Sequence, residues 1–236
     1  MNLILIFPED FIHDDHVQLS GRRFQHLIST IRPKLGDQLE VGLVNEEMGI
    51  GQVLSLASDH ITLRVQLQKK PPAPLPVRLI LALPRPKVLH RVLSTCSTLG
   101  IKEIVLINSY RVDKSYWSTP LLQNERIAQS LTLGLEQAKD TIMPVVTLEK
   151  RFKPFVEDKL PSLITSSQGL VGHPYATTSC PDKPPEHVTL AVGPEGGFIP
   201  WEIDKLVDTG FQDITLGERI LKVETAVSVL IAKLFY

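Results

Sequence analysis

Four prolines fall within the six residues Pro71-Pro72-Ala73-Pro74-Leu75-Pro76 of a 236-residue chain. Proline fixes φ and carries no backbone N–H, so this stretch can continue neither a helix nor a central strand. It divides the sequence into two textures and marks a domain boundary. Ahead of it, Leu3-Ile4-Leu5-Ile6-Phe7 reads as a strand, and Ser20 is placed to cap a helix whose Phe24, Leu27, Ile28 and Ile31 fall at i, i+3, i+4 and i+7. Pro33 ends that helix. Leu39, Val41 and Leu43 alternate with polar or small residues, as do Ile61, Leu63, Val65 and Leu67 after the turn at Ser58-Asp59-His60. Period two of this kind predicts antiparallel strands, and a small β-barrel over residues 1–70 follows.

Behind the prolines the pattern changes to short β-type runs separated by helical stretches. The runs are Val77 to Leu83, Ile104 to Ile107, Val145 to Leu148, Gly169 to Gly172, Val188 to Val192 and Asp213 to Leu216. Such alternation predicts an α/β domain over residues 75–236 with a largely parallel sheet. Val88, Leu89, Val92, Leu93, Cys96 and Leu99 share one helical face, and Gly100 is placed to end that helix. From Thr225 to Tyr236 apolar side chains cover most of a helix's circumference, which requires burial on more than one side, in the core or at a subunit interface.

Composition narrows the classes. Hydrophobic residues make up 43% and charged residues 22%, enough for a packed core and against disorder. Cys96 and Cys180 lie far apart, with neither disulfide nor zinc-ligand spacing, so no metal is expected and a reducing cytoplasm fits. Cys96, on an apolar helical face, reads as core. No apolar run reaches bilayer-crossing length, which argues against a membrane protein. A net charge of −1 confines any nucleic-acid site to a local patch.

Two segments carry candidate chemistry. Leu190-Ala191-Val192-Gly193-Pro194-Glu195-Gly196-Gly197-Phe198 runs from a strand into a glycine-dense turn, the usual place for a ligand in an α/β sheet, although an ordinary turn fits equally. Its spacing matches neither a dinucleotide fingerprint nor a P-loop. Leu216 to Ala226 concentrates Arg219, Lys222 and Glu224 between a buried strand and a buried helix. These serve either a ligand or a salt-bridged turn, and Glu224-Thr225 is also placed to cap the helix. Tyr116 and Trp117, beside Arg111 and Lys114, suit either base stacking or packing. His90 and His187 read as surface residues without partners.

The pair of motifs Gly193-Pro194-Glu195-Gly196-Gly197-Phe198 and Leu216-Gly217-x-Arg219-Ile220-Leu221-Lys222-x-Glu224-Thr225-Ala226 resembles the bacterial 16S ribosomal RNA uracil-N3 methyltransferase family of the SPOUT superfamily. Ile31-Arg32-Pro33-Lys34-Leu35-Gly36-Asp37, Leu99-Gly100, Glu136-Gln137 and His173-Pro174 follow the family's order, so the resemblance spans nearly the whole chain. It implies a SPOUT-type sheet with a trefoil knot, a small PUA-like RNA-binding barrel and a homodimer. It further implies S-adenosylmethionine, bound in a bent form by Gly172, His173, Pro174, Val192, Gly193, Pro194, Glu195, Gly196, Gly197, Leu216, Gly217, Ile220, Leu221, Thr225 and Ala226. The substrate implied is 16S ribosomal RNA or the small ribosomal subunit.

Uracil N3 is nucleophilic only as its proton leaves, which requires a base or stabilisation of the anion. Arg219 and Lys222 are candidates for stabilisation and Glu224 for the base. A base within structured RNA must also be exposed before transfer, and Arg22, Arg23, His26, Arg32 and Lys34 form the proposed RNA patch, with a solvated helix face as the alternative. The chain departs from the family where Ala138-Lys139-Asp140-Thr141-Ile142-Met143-Pro144 replaces a Gly-Arg segment, and where Lys222 replaces arginine; Asp140 is expected to repel phosphate. A catalytically weak RNA-binding or ribosome-assembly protein keeping the fold, and an unrelated nucleotide-binding α/β enzyme, therefore remain alternatives.

Overall fold

The computed structural model describes residues 2–183 and 187–236. They form two compact units: Met1–Ala73 together with Thr132–Met143, and Pro74–Leu131 together with Pro144–Tyr236.

In the first unit six strands are ordered β1-β4-β5-β6-β3-β2, namely β1 Ile4–Ile6, β2 Phe11–His13, β3 His16–Ser20, β4 Gln38–Leu43, β5 Met48–Leu56 and β6 His60–Lys69. β1 pairs parallel with β4 and every other pairing is antiparallel. Along β6 the alternation predicted from sequence buries Ile61, Leu63 and Val65. They pack with Ile4, Ile6, Val17, Leu19, Phe24, Leu27 and Val41. Strand β5 was hidden in the sequence because Gly51 faces inward while Ile50, 44% exposed, faces out, reversing the usual apolar-in pattern. Helix α1, Gly21–His26, continues through a wider turn at Leu27–Ile31 and stops at Arg32, whose φ of 55° is left-handed.

Thr132–Met143 completes this unit. Leu135 packs with Leu3, Leu5 and Met48. The Glu136 carbonyl accepts the amides of Asn2 and Leu3, both at 3.0 Å. The buried Glu136 carboxylate takes Arg22 at 3.0 Å. Asp140, expected to repel phosphate, is instead buried, with Oδ1 accepting the Ile142 amide at 2.9 Å.

The second unit holds a six-stranded sheet ordered β12-β10-β11-β7-β8-β9, formed by β7 Val77–Ala82, β8 Glu103–Ile107, β9 Val145–Glu149, β10 Gln168–Gly172, β11 Val188–Val192 and β12 Phe211–Ile214. All its pairings are parallel. Every residue of β11 is buried, as expected where helices cover both faces. The helices are α2 Pro86–Thr98, α3 Asn124–Ala138 (which runs on into the first unit after Leu131), the short α4 Phe152–Pro154 and α5 Leu160–Leu163, α6 Pro200–Asp208 and α7 Val223–Phe235. Cys96 lies in the core, where burial pushes its thiol up to about 12 and leaves it inert. His90, expected to lack a partner, has Nδ1 2.7 Å from Ser130 Oγ. Among the described residues no helix is long and apolar enough to cross a membrane.

Candidate functional site

Parallel strands carry the loops that follow them at one common end of the sheet, and ligands of α/β proteins gather where those loops diverge. Here the carboxyl ends of β10, β11 and β12 open into one pocket, with the first turns of α7 closing it. After β10 come Gly172, His173 and Pro174; after β11 come Gly193, Pro194, Glu195, Gly197 and Phe198; after β12 come Thr215, Leu216, Gly217, Arg219, Ile220 and Leu221. Val223, Ala226 and Leu230 of α7 complete the wall.

Local bonds hold these loops. The Gly197 amide donates to the Pro194 carbonyl at 2.8 Å, and Gly197 itself sits at φ +73°. A Cβ there would meet no atom within 4 Å, so it would enter open space while adopting a backbone region that L residues avoid. The amide of His173 donates to the Ile214 carbonyl at 2.8 Å. The Thr215 amide reaches the Thr178 carbonyl at 2.8 Å, and the Cys180 amide reaches the Thr215 carbonyl at 2.9 Å, so the β10–β11 connection runs beside the end of β12. Glu195 accepts the Arg85 amide at 3.1 Å.

The pocket is chemically lopsided. Phe198 and Leu230 are buried in its floor, and Val192, Ile214 and Val223 are apolar walls. The backbone of Glu218 to Leu221 makes no hydrogen bond to another described residue, which leaves its amides and carbonyls free for a ligand edge. Glu195, Arg219 and His173 are the ionisable side chains in the lining, and no cluster of cations is present to hold a polyphosphate. Among the described residues no group of three His, Cys, Asp or Glu is arranged to hold a metal ion.

Thirteen of the fifteen residues expected around a cofactor line this pocket. Gly196 and Thr225 do not. Gly196 turns away toward Arg111, whose guanidinium donates to its carbonyl, and Thr225 lies on an exposed position of α7. Phe198, named in the first motif but not expected at the cofactor, lines it too, and so do Ile214, Thr215, Val223 and Leu230, which were not singled out in the sequence. Val223 and Leu230 stand three before and four after Ala226, so helical spacing alone was a signal that could have found them. Of the candidate catalytic residues, Arg219 lies in the lining and is exposed, whereas Lys222 and Glu224 stand outside it. Lys222 is the N-cap of α7, and Glu224 Oε1 is 3.6 Å from Arg91.

The basic patch of the first unit divides. Arg23, largely buried, forms a two-pronged ion pair with buried Asp10 and donates to the Leu5 carbonyl at 2.9 Å. Arg22 is engaged by Glu136. His26 is half-buried, its Nε2 without a partner among the described residues. Arg32 and Lys34 are exposed, and neither side chain has an ion-pair partner among the described residues.

A parallel sheet whose strand ends open into a mainly apolar pocket, without a cluster of cations in its lining, places this chain among the α/β proteins that bind ligands at the carboxyl ends of their strands. Residues 71–234 match the RNA methyltransferase domain family, and the chain belongs to that family. It is 29% identical over 234 residues to the ribosomal RNA small subunit methyltransferase E of Treponema pallidum, covering 96% of this chain and 87% of that protein. Over 237 residues it is 27% identical to the protein of the same name from Synechocystis, covering 98% and 76% respectively. The crystal structure of ribosomal RNA small subunit methyltransferase E from Neisseria gonorrhoeae bound to S-adenosyl methionine superposes with a TM-score of 0.76 over 98% of this chain and 96% of that one, at 18% identity.

Proposed function

We propose that the protein transfers the methyl group of S-adenosylmethionine to N3 of a uridine in 16S ribosomal RNA of the small subunit, as a cytoplasmic homodimer. One observation carries the reading: the two motif loops, far apart in sequence, meet in a single pocket whose donors are backbone groups and whose walls are apolar. That chemistry fits a cofactor with an adenine to bury and no phosphate to clamp. When bound, the cofactor supplies an electrophilic methyl on a sulfonium. Gly197, Ile220 and Leu221 leave room and hydrogen-bonding edges for the nucleoside, while Phe198 and Leu230 exclude water beneath it. Arg219, exposed on the pocket rim, stabilises the negative charge that develops on the uracil oxygens as the N3 proton departs. Lys222 adds positive charge nearby, and Glu224, released from Arg91, takes the proton.

The β10–β11 connection lying beside Thr215 supports a trefoil knot at this place. The mixed six-stranded sheet of the first unit supports a PUA-like RNA-binding fold that reaches RNA through Arg32 and Lys34, with Arg22 and His26 alongside and Arg23 holding the patch in shape. The homodimer uses the exposed positions of α7. The deciding experiment is radiolabelled methyl transfer to ribosomal RNA from a strain lacking this gene, followed by nucleoside analysis. Label in N3-methyluridine is expected. Cofactor binding without transfer would instead favour a ribosome-assembly protein.

A further inference from the structure

Tyr110 is 79% exposed, yet its backbone is tied to a buried side chain. It follows β8 by three residues, between buried Ser109 and buried Val112, and the Val112 amide closes a turn on the Ser109 carbonyl at 3.1 Å. Its own amide donates to Glu202 Oε1 at 2.7 Å. Glu202 is 2% exposed, and its other oxygen accepts the Ile199 amide at 3.0 Å, directly after the pocket loop. A buried carboxylate is costly unless its oxygens are satisfied. Here both oxygens are used to tie the Tyr110 turn to the loop that lines the pocket. Arg111 adds a second tie by donating to the Gly196 carbonyl, and its side chain packs so closely that a Cβ on Gly196 would stand 2.9 Å from Arg111 Cδ.

A matching feature follows β10. Tyr175, 78% exposed, follows β10 by three residues, and its ring meets the pocket-lining His173 edge-on at 5.6 Å. Gly172, Val192, Leu81 and Leu106 lie in one register row, so β8 and β10 end at nearly the same level. Three interstrand spacings separate these two strands, about 14 Å, and the pocket loop after β11 emerges between them. Stacked neighbours along a nucleic-acid strand are only about 3.4 Å apart. Bases stacked on rings carried by strands this far apart are not direct stacking neighbours of one another, which leaves room for an unstacked nucleotide between them.

On the strength of the function proposed above, we propose that Tyr110 and Tyr175 form an aromatic bracket that stacks on nucleobases to either side of the target uridine and keeps that uridine out of its stack. Stacking on a fixed aromatic ring is tolerant of sequence and offsets the cost of unstacking the target. The bracket sets which RNA is accepted; it performs no chemistry.

The test uses the intact protein with S-adenosylmethionine and a fluorescein-labelled single-stranded RNA of roughly 12 nucleotides carrying one uridine. Tyr110→Ala and Tyr175→Ala are each expected to weaken affinity about tenfold, which corresponds to about 1.4 kcal/mol. The phenylalanine variants keep wild-type affinity, because the ring and not the hydroxyl stacks. The dependence of affinity on salt stays unchanged in the alanine variants, since no phosphate contact is lost. Calorimetric affinity for the cofactor also stays unchanged, which separates stacking from a disturbed pocket. Wild-type RNA affinity in either alanine variant, a matching loss in either phenylalanine variant, or a wild-type protein that binds no RNA overturns the bracket. Absence of N3-methyluridine in the transfer experiment overturns the proposed reaction, and the affinity comparison then still decides the bracket.

Discussion

Single residues here separate into those that hold the fold and those left free to meet a ligand, and the basic residues of the first unit fall on different sides. Arg23 lies against Asp10 with both side chains largely out of water. Replacing it by alanine strands a buried carboxylate, at a cost of about 3 kcal/mol. Lys34→Ala, at an exposed side chain, is expected to leave stability within about 0.5 kcal/mol of wild type. Denaturant titration distinguishes the two variants; equal stabilities would remove the structural role from Arg23. Gly197 is the corresponding position in the pocket. A valine there adopts an unfavourable φ and fills the slot, so Gly197→Val should abolish cofactor binding while the protein stays folded. Calorimetry showing wild-type affinity would make this loop an ordinary turn.

Among the elements, α7 most clearly joins sequence to function. Its apolar circumference, visible in the sequence, is only partly used: Val227, Leu230, Ile231 and Leu234 are buried, while Val229 is 40% and Tyr236 68% exposed. The exposed remainder is the surface proposed for the second subunit, and Val229→Asp is expected to shift the protein from dimer to monomer without lowering helix content, as read by sedimentation and circular dichroism. A monomeric wild type would show that α7 serves its own core alone. Sequence exposed α7 and the six strands of the second unit through their apolar runs, although the edge strand β9 buries none of its residues and Val145 is 64% exposed. It concealed β5, whose inward Gly51 and outward Ile50 break the alternation, β2, with only three residues, and β3, His16–Ser20, with only Val17 and Leu19 buried. The same difference governs the pocket. Its glycine and charged loops stood out as motifs, and Val223 and Leu230 carry only the signal of helical spacing from Ala226, whereas Ile214 looks like any other core residue until the strand ends bring the loops together. Tyr110 also escaped notice, because its significance rests on Glu202, 92 residues away.

For the whole molecule, the proline run is not the only place where the chain passes between its two compact units. Thr132–Met143 returns to the first unit, and the reason is physical. Leu3, Leu5 and Met48 form a small apolar cluster that Leu135 completes, and the amides of Asn2 and Leu3 find their acceptor in the Glu136 carbonyl. A polypeptide of residues 1–73 retains all six strands but loses that cover, and it leaves two backbone donors without partners in the fold. Losing one buried leucine contact typically costs about 2–5 kcal/mol, a large share of the stability of so small a unit. Residues 1–73 alone should therefore unfold at a markedly lower denaturant concentration than the first unit does in the intact chain. Adding a peptide spanning residues 132–143 should restore part of the difference, and its Leu135→Ala version should restore less. If the fragment matched the intact chain without the peptide, the six strands would be self-sufficient, and the returning segment would add nothing to the stability of the first unit.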